Sequence, residues 1–284
     1  MLRKWMLSLV ILMGAFFVPA SAPASSHLFD DITSYQIYYD PVTTKIEKDM
    51  KRYDLVILEP REVTKERVAR IRRNGTLVLG YVNLMEADEW NVEVMKQLKP
   101  QDFFYENGQK VFFPEWDSYL MDLTSSHYQS VLKKDLKKQV IDKGFDGIFL
   151  DTVGDIDNEH AHRKSVLNAQ RDAYLEFLQF LRDEYGQIPI IQNWGFDTLK
   201  AVSAPLVDGV MWEGFDYNAV ARDSWSQERI AELTKLRKKY GVDVFTVSYE
   251  SKNRSTNYAK RRGFIHTHEP DGYNKWTYVK KLSP

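Results

Sequence analysis

Gly144-Phe145-Asp146-Gly147-Ile148-Phe149-Leu150-Asp151 decides the fold. The stretch reads as a short, buried strand from Gly147 to Asp151 that ends on an acid, and seven similar runs lie on either side of it. Upstream are Tyr35 to Tyr39, Asp54 to Leu58 and Thr76 to Val82; downstream are Ile188 to Asn193, Asp208 to Glu213, Asp243 to Tyr249 and Gly263 to Thr267. Segments of helical period separate them. Tyr128, Leu132, Leu136 and Val140 recur every four residues, and Leu167, Tyr174, Phe177, Leu178, Leu181 and Tyr185 make one apolar stripe. Another helix is expected from about Trp225 to Tyr240, opened by a Ser224-x-x-Gln227 capping box and closed by Gly241. Alternating strands and helices imply a parallel sheet, and eight repeats imply an α/β fold closed as a (β/α)8 TIM barrel.

At the N-terminus, Arg3 and Lys4 precede an apolar run from Trp5 to Val18 and the small residues Pro19 to Ala24. This reads as a signal peptide over residues 1 to 24, cleaved near Ala22–Ala24, because the run is shorter than the roughly 20 residues a membrane span needs. The expectation is a secreted, extracellular protein that meets the membrane only through that peptide. Residues 25–284 then form one domain, a length ordinary for a barrel. Losing Arg3 and Lys4 takes the formal net charge from −1 to −3, which makes nucleic acid an unsuitable partner. The chain has no Cys, so neither a disulfide nor a thiol nucleophile is available.

A barrel carries its chemistry at the C-terminal ends of its strands. Two strands end in acids, Phe149-Leu150-Asp151 and Met211-Trp212-Glu213, and a third ends in Gln192-Asn193-Trp194. Burying a carboxylate is costly unless it is paired or used, so Asp151 and Glu213 are the candidate catalytic pair. Tyr38, Glu59, Tyr81, Asn83, Asn193, Trp194, Trp212 and Tyr249 stand at or near strand ends and are candidate substrate contacts. The 41 residues from Glu86 to Ser126 form an aromatic-rich insertion after strand three, expected to wall the site, with a type I′ turn at Asn107-Gly108.

The pairs His160/His162 and His266/His268 raise a rival class, a metal-dependent amidohydrolase or polysaccharide deacetylase. No metal ligands are assigned to them and no cofactor is expected, because the first strand carries Tyr38-Tyr39-Asp40 rather than His-x-His. A non-catalytic carbohydrate-binding barrel is the third reading, and both strand-end acids argue against it. Glu86, Asp88, Glu89, Asp151, Asp155, Asp157, Glu159, Glu213 and Asp216 all fall in the loops of the expected top face, which points to a cationic ligand.

In this order, Leu77-Val78-Leu79-Gly80-Tyr81, the opening octapeptide, Gln192-Asn193-Trp194, Met211-Trp212-Glu213-Gly214-Phe215 and Val244-Phe245-Thr246-Val247-Ser248-Tyr249 resemble glycoside hydrolase family 114. The resemblance covers nearly the whole chain after residue 24. It implies an endo-acting α-1,4-galactosaminidase that cuts polymers of galactosamine and N-acetylgalactosamine. It also implies Asp151 and Glu213 as the catalytic pair, with Asn193 and Tyr81 at the sugar subsite. Ser248 and Trp194 depart from the pattern, since acids are frequent at both positions in the family.

Overall fold

Runs of four to seven mostly apolar residues pair side by side in chain order, all parallel, in the computed structural model, which describes residues 28–277. The strands are β1 (Tyr35–Tyr38), β2 (Leu55–Leu58), β3 (Leu77–Asn83), β4 (Gly147–Asp151), β5 (Ile190–Asn193), β6 (Gly209–Trp212), β7 (Asp243–Ser248) and β8 (Ile265–His268). Helices follow the strands and cover the outer face, giving a nearly closed (β/α)8 barrel. The ring is completed where Gln36 Nε2 donates to Glu269 Oε2 over 2.8 Å and the Tyr39 amide donates to the Tyr273 carbonyl over 2.9 Å. The expected signal peptide lies outside the described residues. Among those residues no helix is long and apolar enough to cross a membrane.

Side chains alternate with period two along every strand, and this phase positions the site. Tyr35, Ile37, Leu55, Ile57, Leu79, Phe149, Ile191, Met211, Phe245 and Val247 point inward and fill the barrel with Phe29 and Ile32. Their neighbours Val56, Leu58, Val78, Ile148, Leu150, Ile190, Val210 and Val244 point outward beneath the helices. Continuing the inward phase to the strand ends brings Glu59, Tyr81, Asn83, Asp151, Asn193, Glu213 and Tyr249 to the mouth.

The octapeptide owes most of its pattern to architecture. Gly144 takes a φ of 78° that ends the preceding helical segment. Asp146 accepts the Val78 amide over 2.9 Å and pairs with Arg72, fixing β4 beside β3. A Cβ on Gly147 would stand 2.6 Å from the Pro189 carbonyl oxygen, so β4 and β5 could not approach as they do. The two long apolar stripes form helices at Ser126–Leu136, extended by a wider turn through Ile141, and at Lys164–Tyr185.

One expected cap is replaced. The helix Ser224–Tyr240 is capped by Asp223, whose carboxylate accepts the Ser226 amide over 2.7 Å. Gln227 is turned away, donating to the Val220 carbonyl and the Tyr258 hydroxyl. Gly241 does close that helix, at a φ of 78°. In the insertion, Asn107 and Gly108 have φ of 50° and 80° and join Tyr105–Glu106 to Gln109–Lys110, as a type I′ turn requires. A small antiparallel sheet of Glu86–Asp88, Ser118–Leu120 and Phe112–Phe113 anchors the rest.

Candidate active site

Three neighbouring strand ends carry the centre of the mouth, and each is followed by a residue in the left-handed region. Thr152 after Asp151 has φ of 61°, Trp194 after Asn193 has 56°, and Gly214 after Glu213 has 70°. For the two non-glycine residues this costs on the order of 1–3 kcal/mol each. The same turn repeated at β4, β5 and β6 sends the chain sharply away after Asp151, Asn193 and Glu213.

Asn193 joins the three. Its amide nitrogen donates to Asp151 Oδ1 over 2.7 Å and to Glu213 Oε1 over 2.5 Å. Both oxygens sit on one donor nitrogen, so they stand no more than about 5 Å apart. Asp151 Oδ1 also accepts the Thr152 amide over 2.8 Å, and the Tyr81 hydroxyl hydrogen-bonds to the same carboxyl. Burial and then the charge of Glu213 push Asp151 up to about 6, against the lowering effect of these donors. Glu213 Oε2 meets two phenols, Tyr249 at 2.7 Å and Tyr273 at 2.6 Å, whose hydroxyls lie 3.2 Å apart.

A cleft of about 870 Å³ opens over this centre. Glu59, Glu62, Glu86, Asp88, Asp151, Asp155, Asp157, Asp197 and Glu213 contribute acids to its lining, and Arg229 is the one base among the described residues there. Asp155 stands beside Glu86, which accepts the Ser118 hydroxyl. Burial and then the neighbouring Glu86 push Asp155 up to about 9. Burial likewise pushes Glu59 to about 7 and Asp88 to about 6.

A model of glycoside-hydrolase family GH114 matches residues 18–283. The chain belongs to glycoside-hydrolase family GH114. It is a glycoside hydrolase. Among solved structures, the glycoside hydrolase domain of PelA from Pseudomonas aeruginosa is similar over 84% of this chain and 94% of its own, at 18% identity and a TM-score of 0.68. Ega3 of Aspergillus fumigatus, solved in complex with galactosamine, is similar over 87% and 95% at 16% identity and a TM-score of 0.64. An α-galactosidase of Thermus thermophilus shares 13% identity, with coverage of 86% and 59% and a TM-score of 0.55. At these identities the likeness is one of fold. A search of curated proteins finds no match.

Within this GH114 barrel, Glu59, Tyr81, Asn83, Asn193, Trp194 and Tyr249 line the cleft together with the acidic pair. Glu59 also accepts the Arg61 amide over 2.9 Å, and Asn83 accepts the Thr152 hydroxyl over 2.8 Å. Tyr38 and Trp212 do not reach it. Each is one residue out of phase: Tyr38 points outward against Trp276, and Trp212, 2% exposed, packs beneath the helices against Phe215 and Phe196. Tyr39 takes the inward place expected of Tyr38. Tyr217 is likewise outside the cleft lining, packed edge-on against Tyr258.

The acidic face also differs in detail. Asp157 is held by Arg171 and the Asp197 and Thr198 amides, and Asp216 accepts the Tyr249 and Glu250 amides, so both carboxylates serve the loops. Glu89, Glu159 and Asp216 do not line the cleft, whereas Glu59, Glu62 and Asp197 do. His266 and His268 lie on the outer face of β8, both hydrogen-bonded to Ser248. Ser248, where the family pattern often has an acid, is therefore turned away from the substrate side. Among the described residues no group of three or more His, Asp or Glu side chains is placed to hold a metal ion.

Tyr273, Tyr39 and Trp225 are the residues that sequence reasoning missed. Tyr39 was available from the two-residue phase. Tyr273 lies in the loop after β8, where no strand pattern extends, and Trp225 reads as an ordinary helix residue.

Proposed function

We propose that this GH114 enzyme is a secreted endo-acting hydrolase of α-1,4-linked galactosamine and N-acetylgalactosamine polymers, working by a retaining mechanism through Asp151 and Glu213. The observation that carries the reading is the Asn193 amide bridging the two carboxyls. Retaining glycosidases hold their carboxyls about 5 Å apart and inverting ones leave about 6.5–9.5 Å for a water. Two carboxyl oxygens held within about 5 Å by a shared amide support retention.

The hydrogen-bond partners support a division of roles. Asn193 and the Thr152 amide can only donate, which favours Asp151 as a standing carboxylate and nucleophile. Hydroxyls of Tyr249 and Tyr273 can donate to a carboxylate or accept from a carboxylic acid, so they serve Glu213 in both protonation states. Asp151 then attacks the anomeric carbon while Glu213 gives its proton to the leaving glycosidic oxygen. In the second step Glu213 takes a proton from water, whose oxygen displaces Asp151 from the same carbon. With a proton on Glu213 the repulsion that raises Asp151 is gone, so the working state has one proton on the pair.

Galactosamine as substrate rests on the family and on the galactosamine complex of Ega3. Asp155 and Glu59, raised to about 9 and 7, add little charge at neutral pH, but acids still outnumber the one base in the described lining, and the remaining carboxylates favour a cationic polymer by focusing negative potential. Partly deacetylated galactosaminan should be cut faster than its fully N-acetylated form, and the difference should shrink with salt. The test is kcat/KM on both polymers at low and high ionic strength, with products read by mass spectrometry. Shortened chains fit a hydrolase. Loss of acetyl mass without shortening would restore the deacetylase reading, and equal rates at low salt would remove the charge argument.

A further inference from the structure

One wall of the cleft differs from the rest in both charge and chemistry. Trp225, at the start of the helix Ser224–Tyr240, lines the cleft yet remains 47% exposed. Three aromatic side chains hold it. Trp194 lies nearly parallel at 6.5 Å and 26°, Trp212 supports it edge-on at 5.6 Å, and Phe196 is 6.2 Å away. An indole fixed in this way loses little side-chain freedom when a ligand lands on it, so its exposed face is organised for binding in advance.

The polar surroundings then select the ligand. The Arg229 guanidinium carbon is 5.9 Å from the centre of the Trp225 ring, and Arg229 pairs with Asp197 at 2.5 Å and Glu232 at 2.8 Å. Asp197, the acid at this wall, is thereby neutralised. On the other side of Asp151, the loop after β3 and the residues after β4 bring Glu86, Asp88 and Asp155 to the lining. Among the described residues no ion pair reaches any of those three. An ammonium group at Trp225 would find Asp197 already paired with Arg229, so it would leave water without gaining a free carboxylate. An acetamido group carries no charge, and its methyl and the C–H face of a pyranose are apolar surfaces suited to an indole.

We propose that Trp225, backed by Trp194, forms an outer sugar subsite that takes an N-acetylated unit, while ammonium-bearing units of the same polymer occupy the acidic wall. The cleft therefore reads the pattern of acetylation along the chain as well as its average charge. This rests on the galactosaminidase reading above and adds a position-specific preference that the reading alone does not contain.

Digesting partly N-acetylated galactosaminan and sequencing the short products by tandem mass spectrometry tests it. Wild-type products should be enriched severalfold in acetylated units at one fixed distance from the newly formed ends. Trp225→Ala should abolish the enrichment and lower kcat/KM on this polymer about tenfold, which corresponds to roughly 1.4 kcal/mol. Trp225→Phe keeps a ring against Trp194 and should retain part of the enrichment, which separates loss of the platform from loss of the fold. Arg229→Met leaves Asp197 without its cation, so the enrichment at that position should vanish or reverse. Random acetylation in wild-type products, or unchanged enrichment in Trp225→Ala, would overturn the subsite while leaving the galactosaminidase reading standing. Absence of any cleavage would overturn both.

Discussion

Two pairs of carboxyls share one cleft and behave differently. Asp151 and Glu213 are spanned by the Asn193 amide and receive the Thr152 amide and three tyrosine hydroxyls. Asp155 lies beside Glu86 with its buried Oδ2 lacking a hydrogen-bond partner among the described residues, and every main influence on Asp155 raises it. Burial and a neighbouring carboxyl raise both aspartates, yet they carry Asp155 to about 9 and Asp151 only to about 6. The difference lies in the donors. Burial with acidic neighbours and no fixed donor leaves Asp155 protonated at neutral pH, whereas fixed N–H donors keep a buried acid available as an anion.

The largest effects should come from removing either member of the bridged pair. Asp151→Asn and Glu213→Gln should each lower kcat by about 10²–10⁴-fold or more while melting within a few degrees of wild type. A variant at either position that keeps a tenth of the activity would erase the distinction between the pairs.

Next in size is the contribution of the phenols. Tyr273→Phe removes one of two hydroxyls from Glu213 Oε2 and should cost about ten- to hundredfold in kcat, measured against Tyr249→Phe in parallel. An effect on KM alone would mean that Tyr273 serves binding and not proton transfer.

The pH profile sharpens the comparison further. The proposed mechanism needs one proton on the pair, and the ionisation raised to about 6 takes place beside a charged Glu213, so kcat/KM should fall as pH climbs through about 6. Glu213 is the second cause of that rise, so the Asp151 carboxyl in Glu213→Gln should ionise at a lower pH, followed by carbon NMR of labelled aspartate. An ionisation that stays at about 6 would show that Asp151 does not feel its neighbour.

The smallest effect belongs to the other pair. Asp155, raised in the folded state, favours folding at low pH, and that contribution is lost as pH climbs from the ordinary carboxylate range through about 9. Asp155→Asn cannot titrate. Its melting temperature relative to wild type should therefore rise by about 2–4 °C between pH 5 and pH 9. A constant difference would contradict the raised ionisation of Asp155.

How much of this was legible in the sequence depends on how local the cause is. The strands were readable because each is a short apolar run bounded by polar residues, and β4 runs from Gly147 to Asp151 as its sequence indicates. The meeting of Asp151, Glu213 and Asn193 at the mouth was readable because each closes an apolar strand at the same end of the barrel. Tyr38 and Trp212 were misplaced by one residue, an error of phase: once Glu213 points inward, Trp212 beside it must point outward. Tyr273 and the placing of Asp155 beside Glu86 depend on loops meeting across the mouth, and no periodicity in either loop records that. The Asp223 cap was missed because Ser224, one residue later, carries an equally good capping side chain.

The central claim is that one amide holds two carboxyls close enough for a covalent intermediate. The anomeric configuration of the first product tests this most directly. Proton NMR of the newly formed reducing ends during the first minutes of galactosaminan digestion, before mutarotation, should show the α-anomer accumulating ahead of the β-anomer. Early appearance of the β-anomer would mean inversion through a water between the carboxyls, and would contradict the account.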